Sequence, residues 1–269
     1  MENEKYAAVI LGAGKGTRMN KGMASEIPKV MFEILGVPVI KYSVDLIKKA
    51  GIEKIVVVVG YKEEMIENYL GNEVEYAEQV EQLGTGHAAM VAKNVLKGKT
   101  ENLIIFYGDN CLYKPESIKK LIDLYEEPAR HVSQGDAGGK KPTIAMLTVE
   151  FDDPEFWAFG RIIRDEGNNV IGIVEQKDCT PEQLKIKESN PGFYIFDADW
   201  FWENCDKLET KNSQGEYYLT DMIEIAQKQG KKIVATAVSS EDEALGINTP
   251  EQLKQAEEVI KRRKSNGDL

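Results

Sequence analysis

Along the first half of the chain, unbroken apolar runs of strand length alternate with longer stretches in which apolar residues return every three or four positions. Tyr6 to Leu11 is one such run, the pattern of a strand buried on both faces. Pro38 to Ala50 carries Val39, Ile40, Val44, Leu46 and Ile47 at helical spacing, which predicts an amphipathic helix. The same alternation predicts a strand at 54–60, a helix at 62–70, a strand from Val74, a helix from Gly86 to Leu96 and a strand at 102–110. Strands and helices in turn imply a parallel sheet with helices on both faces. Ligands of such sheets gather at the carboxyl ends of the strands. A glycine-rich loop follows Leu11, and Asp109 stands in the turn after the fourth strand, so both lie at such ends.

The pattern changes after Pro128. Residues 128–142 are polar and glycine-rich and read as a mobile surface insertion. Strands are expected at 143–149 and 192–196. A hairpin is expected from "GRIIRD" and "VIGIVEQ" across "EGNN". A helix around 216–228, a strand at 232–238 and a charged helix at 250–264 follow. No internal repeat is visible, so the reading is one domain, 1–249, with halves at 1–127 and 143–249. The second half covers the site opened by the first, and 250–269 form a terminal helix and tail.

Composition narrows the function. The 269 residues are 42% hydrophobic, and no apolar run approaches a membrane span. The N-terminus is acidic where a signal peptide is basic. Cys111, Cys179 and Cys205 form neither a CxxC pair nor a disulfide framework. A cytoplasmic protein with no membrane partner is expected. With 34 basic against 45 acidic residues, the net charge of −11 disfavours a general nucleic-acid surface. A single anionic ligand on a local cluster of donors is still compatible with it.

The glycine loop, "LGAGKGTRM", invites such an anion. A dinucleotide fingerprint would need glycine at 17, where Thr17 stands, and a Walker loop would need Ser or Thr directly after Lys15, where Gly16 stands. What remains is G-x-G-x-G-T-R after a first strand. Its glycines let backbone N–H groups approach an anion, Arg18 offers a bidentate fork and Lys15 a mobile point charge. A tight strand–helix turn with solvent-facing charges would have the same spacing.

Further motifs follow in order: "PKVM" at 28–31, "EQLGTGHA" at 81–88, "YGD" at 107–109, "GRIIRD", "IVEQKD" at 173–178, "QGEYYLTD" at 214–221 and "GIN" at 246–248. Together with the loop they resemble the sugar-phosphate nucleotidyltransferases over about residues 6–249. The nearest branch is the uridyltransferase domain of the bacterial N-acetylglucosamine-1-phosphate uridyltransferases. The resemblance implies a Rossmann-like α/β fold, with a mostly parallel central sheet and a small antiparallel sugar-binding part. It also implies formation of UDP-N-acetylglucosamine and pyrophosphate from UTP and N-acetylglucosamine 1-phosphate, with Mg²⁺ as cofactor.

By the same resemblance, Leu11, Gly12, Ala13, Gly14, Lys15 and Gly16 would hold the nucleotide with Gln79, Gln82, Gly84 and Thr85. A glutamine amide offers both a donor and an acceptor to a uracil edge. Lys15, Arg18 and Lys29 would neutralise the reacting phosphates. Asp109 and Asn248 would hold the metal, since Mg²⁺ takes few protein oxygens and fills its shell with water and phosphate. Tyr107, Gly108, Gly160, Glu175, Lys177, Asn190, Tyr218 and Thr220 would form the sugar pocket. A turn-capping role for Asp109, a surface role for Lys29 and packing roles for His87 and Tyr217 are the plainer readings.

Departures from the family are also visible. Gly12 replaces its usual alanine, and the spacer "MNKGMASEIP", residues 19–28, is several residues longer than usual. Asn110 and Cys111 stand where an apolar pair usually follows "GD". Bifunctional members of the family continue into a hexapeptide-repeat β-helix; this sequence has no such repeats, so acetyltransferase activity is not expected and a homo-oligomer is left open. The same chemistry on another sugar 1-phosphate such as glucose 1-phosphate, with UTP or dTTP, is the alternative. A non-catalytic nucleotide-sugar-binding protein is a third.

Overall fold

The computed structural model describes residues 4–20, 26–126, 141–154 and 158–267. The strands are β1 (Glu4–Leu11), β2 (Glu33–Ile34), β3 (Val37–Pro38), β4 (Lys54–Val59), β5 (Glu75–Glu78), β6 (Thr100–Tyr107), β7 (Ile144–Glu150), β8 (Gly160–Arg164), β9 (Val170–Val174), β10 (Glu188–Asn190), β11 (Phe193–Asp197) and β12 (Ile233–Ala237). The helices are α1 (Val39–Lys49), α2 (Glu63–Leu70), α3 (Thr85–Val91), α4 (Lys93–Leu96), α5 (Pro115–Glu126), α6 (Ala198–Asn204), α7 (Asp221–Lys228) and α8 (Pro250–Asn266).

The sheet has two textures. β5, β4, β1 and β6 run parallel in that order. β11 then pairs antiparallel with β6, and β7, β10, β8 and β9 continue the sheet, while β12 joins β7 in parallel. Register aligns the carboxyl ends of the first group: Leu11 lies opposite Val58 and Tyr107, and Val59 opposite Glu78. The segments that leave these ends therefore emerge along one edge.

β1 is buried from Ala7 to Ile10 and β4 from Ile55 to Val59, as apolar runs between two helical layers must be. One layer packs α3, α6 and α7 through Ala89, Phe201 and Met222. The other packs α1, α2 and α5 through Ile40, Ile66 and Leu121. A third cluster joins α8 to the β2–β3 hairpin through Ile34, Val259 and Ile260. Each fully buried aliphatic side chain here contributes about 1.5–3 kcal/mol.

The structure departs from the expected elements in three places. The helix expected from Gly86 to Leu96 breaks into α3 and α4 at Ala92, where the ladder tightens to three-residue bonds (Ala92 N to Ala89 O, Val95 N to Ala92 O). α7 starts at Asp221 instead of Glu216. The backbone before it is spent on tertiary pairing: Tyr217 N donates to Leu83 O at 2.8 Å, and Gly86 N donates to Tyr217 O at 2.7 Å. α5, α6, the β2–β3 hairpin and β10 come without a sequence expectation, α6 capped by the Asp197 carboxylate on Trp200 N at 2.8 Å. The expected insertion at 128–142 lies outside the described residues up to 140, and so do residues 21–25 of the long spacer.

Candidate active site

The glycine loop is fastened on both sides. Gly12 N donates to Val58 O, and Ala13 O accepts from Gln82 Nε2 at 2.6 Å. Lys29 N donates to Gly14 O at 3.2 Å. Gly16 has φ +65°, and a Cβ there would stand 2.9 Å from Lys29 Cβ. Only glycine allows both that backbone state and that approach. Asn20, which carried no expectation, holds the loop from beneath. It is buried, donates to Lys15 O and Ile27 O, and accepts from Ile27 N, tying the loop to the residue before Pro28. A lone asparagine in a polar stretch gave no signal of this.

Four side chains from separate segments meet beside the loop. Lys29 Nζ bonds Asp109 Oδ2 at 2.6 Å and Asn248 Oδ1 at 3.0 Å. Arg18 Nη2 bonds the same Asn248 oxygen at 2.9 Å. Asp109 and Lys29 are mostly shielded, with side chains 11% and 21% exposed, so water screens this pair weakly. The backbone ties the two oxygen-bearing segments together, with Ile247 N donating to Asp109 O at 3.2 Å. Two hard oxygens thus face one cationic position. Among the described residues no group of three or more His, Cys, Asp or Glu side chains gathers as a metal cage would. Asp109 and Asn248 could hold a cation that brings its other ligands from phosphate and water.

Lys15 extends toward the Tyr61 ring, 6.0 Å from its centroid, and lines a cleft of ≈ 320 Å³ with Gln79, Gln82, Glu63 and Glu78. Gln79 is buried, with Nε2 on Gly84 O at 3.1 Å and on His87 Nδ1 at 3.1 Å. Gly84 has φ +110°, and a Cβ there would stand 2.6 Å from Tyr217 O. Thr85 Oγ1 accepts from Leu219 N at 3.1 Å. The segment after β5 is thereby bound to "EYYLT".

The second half sets a different group of side chains across from these. Glu175, at the end of β9, accepts from Thr220 Oγ1 at 3.1 Å. Burial raises its carboxyl above the usual range, with Asp221 and Asp178 adding to the rise. Tyr218 lies between Gln214 and Asp178, and a cleft of ≈ 390 Å³ opens beside it and Glu175. Asn190 is buried, donating to Tyr194 OH at 2.6 Å and accepting from Gly192 N at 3.1 Å. Gly160 pairs with Asn190 across β8 and β10 and packs close under Glu175. Tyr107 ends β6 with its hydroxyl among Thr85 and Tyr194; burial and the Glu175 charge push its phenol well up. Gly108 O accepts from Ser43 Oγ of α1 at 2.9 Å. Lys177 is exposed and bonds Gln214, on the outer side of this group. Burial pushes Cys111 up to about 12 and Cys205 up to about 11, so neither is a ready nucleophile.

Residues 7–243 match the Nucleotidyl transferase family model. The chain belongs to that family. Over 263 residues it is 40% identical to the bifunctional protein GlmU of Enterococcus faecalis, covering 98% of this chain and 53% of that protein. It is 43% identical over 258 residues to GlmU of Clostridium novyi, covering 96% and 52%. The chain thus spans about half the length of these curated relatives. Among solved structures, a UDP-glucose pyrophosphorylase complexed with UDP-glucose superposes with a TM-score of 0.74, covering 97% of this chain and 99% of that one at 20% identity. At that identity the likeness is one of fold. Among the described residues, no helix of this nucleotidyltransferase is long and apolar enough to cross a membrane.

Proposed function

We propose that the chain transfers the uridylyl group of UTP to N-acetylglucosamine 1-phosphate. A phosphate oxygen of the sugar attacks the α-phosphorus in line, the bond from that phosphorus to the bridging oxygen breaks, and pyrophosphate leaves. The observation that carries this reading is the meeting of Arg18, Lys29, Asp109 and Asn248 beside the glycine loop. In-line phosphoryl chemistry asks the protein mainly for positioning and charge neutralisation, and this cluster offers both.

In this reading the loop from Leu11 to Gly16 cradles the triphosphate with backbone N–H groups. Lys15, Arg18 and Lys29 offset charge that builds on the α- and β-phosphates. Gln79, Gln82, Gly84 and Thr85 read the uracil edge. Asp109 and Asn248 would hold Mg²⁺, which when bound would supply positive charge to the reacting phosphates. Glu175, Asn190, Gly160 and Thr220 meet the sugar hydroxyls and the N-acetyl group, and the Tyr218 ring covers the acetyl methyl. Tyr107 and Gly108 close the floor between the two ligands, and Lys177 approaches the sugar phosphate from the rim.

A turnover assay with UTP and Mg²⁺ on N-acetylglucosamine 1-phosphate, glucose 1-phosphate and their galactose counterparts tests this. Preference for N-acetylglucosamine 1-phosphate is expected. Preference for glucose 1-phosphate would overturn the sugar assignment, and no turnover on any of them would overturn the reaction.

A further inference from the structure

Asn110 is the departure from the family pattern that the site so far leaves without a role. It follows Asp109 directly and is 1% exposed, yet its side chain is an amide where the family places an apolar residue. Burying an amide costs free energy unless its polar atoms are met, so the place where they are met is informative.

One end of the amide reaches the sugar side. Asn110 Nδ2 donates to Pro191 O, which also accepts from Tyr113 OH at 2.8 Å. Pro191 lies between Asn190 and Gly192, and Gly192 N in turn donates to Asn190 Oδ1. The turn that aims Asn190 is therefore held by two side chains from the segment just after Asp109. The other end reaches the Asn248 segment. A Cβ on Gly246 would stand 2.6 Å from Asn110 Oδ1, so the amide oxygen lies close against the residue two before Asn248. The hydrogen bond from Ile247 N to Asp109 O closes the same junction. Asn110 thus touches both of the loops that carry Asn190 and Asn248, and it is adjacent in the chain to Asp109.

The structure assigns Asn110 as a positioning residue that sets the spacing between the Asp109–Asn248 oxygen pair and the Asn190 amide, coupling divalent-cation binding to sugar 1-phosphate binding. The assignment rests on the proposed function. It differs from a packing role in what it predicts. An apolar side chain of similar size would fill the space but leave Pro191 O to Tyr113 alone and remove the amide oxygen that lies against Gly246, so the two ligands would lose much of their mutual effect. Coupling between sites is reciprocal, which makes it measurable from either ligand.

The test titrates Mn²⁺ by water-proton relaxation into the full chain with the non-cleavable α,β-methylene analogue of UTP, with and without N-acetylglucosamine 1-phosphate. In the parent protein each of the two ligands should tighten the other. In Asn110→Val, Mn²⁺ affinity should fall about tenfold, as for other residues that orient metal ligands, and the mutual effect should shrink toward one. The KM for sugar 1-phosphate should rise by a similar factor while that for UTP stays within about twofold. Gly246→Ala, which presses on the amide from the other side, should produce the same two losses without altering Asn110. If Asn110→Val does not fold, Gly246→Ala and Asn110→Ser carry the test, the serine keeping a donor. Unchanged coupling in the folded variants, or an equal loss of UTP affinity, overturns the assignment alone. A parent protein that takes neither Mn²⁺ nor sugar 1-phosphate overturns the proposed function, and the assignment with it.

Discussion

The cluster beside the glycine loop buries its carboxylate, Asp109, the cluster around Glu175 half-buries its own, and they treat them in opposite ways. Asp109 meets Lys29 at 2.6 Å, and the neighbouring Asn248 oxygen takes both Lys29 and Arg18. Glu175 instead accepts from a neutral hydroxyl and faces Asp178 and Asp221, so desolvation and like charge push its carboxyl up. Asp221 is raised the same way, from 3.8 to about 6. The first arrangement keeps charges that phosphates or a divalent ion can exchange with. The second keeps carboxyls that are costly to ionise until hydroxyl groups of a ligand supply donors. The contrast lies in the partners that the fold brings to each carboxyl, since the carboxyls themselves are of one chemical kind.

Breaking the first arrangement should have the largest effect. Asp109→Asn removes a hard anionic oxygen and is expected to cut turnover by at least about 10²-fold in a protein that still melts cooperatively; steady-state kinetics beside a thermal melt checks this, and near-parental turnover would refute a metal role for Asp109. Breaking the second should act on binding more than on rate. Glu175→Gln is expected to raise the KM for the sugar 1-phosphate about tenfold, by loss of one charge-assisted hydrogen bond, with the KM for UTP unchanged. An equal rise in both would mean that Glu175 does not discriminate the sugar side.

The raised acid sharpens the comparison through pH. A carboxyl whose folded pKa lies above its unfolded value contributes full stability below the unfolded value, and that stability is lost as pH rises through the folded one. For Asp221 the window runs from about 4 to about 6. Asp221→Asn should therefore melt higher than the parent at pH 7 by about 2–4 °C, the shift that 1 kcal/mol gives in a chain of this size, and equal it at pH 4. Thermal melts across that range decide it, and a gain that persists at pH 4 would have another cause. The smallest effect is expected at the rim. Lys177 is exposed and bonded to Gln214, so Lys177→Ala should change the KM for sugar 1-phosphate by less than about threefold. A tenfold rise would move Lys177 into the site.

Much of the first half was legible because its burial is two-sided and local. A run such as "KIVVVV" in β4 has no face to give to water, and the amphipathic period of α1 leaves its buried stripe in plain view. The second half was harder, because its backbone is committed to distant partners. Glu216 and Tyr217 have a helical neighbourhood in sequence, but the backbone of Glu216 is bonded by the Asn212 side chain and that of Tyr217 pairs with Leu83 and Gly86, and α7 starts only when that pairing ends. Asn20 gave no signal, and Asn110 showed only as a departure from the family pattern, for a related reason. An amide has no spacing rule, and its partners, Ile27 O in one case and Pro191 O in the other, are named only by the folded chain.

The amino-acid sequence by itself determined the alternating layers, the glycine loop at the end of β1 and the family to which the ordered motifs point, because apolar period and glycine spacing act over a few residues. Only the tertiary structure decided which charges meet. Lys29, Asp109 and Asn248 are separated by 80 and 219 positions from lysine to each oxygen, and electrostatics depends on distance in space, which the parallel register of β1, β4 and β6 sets by bringing their carboxyl ends to one edge.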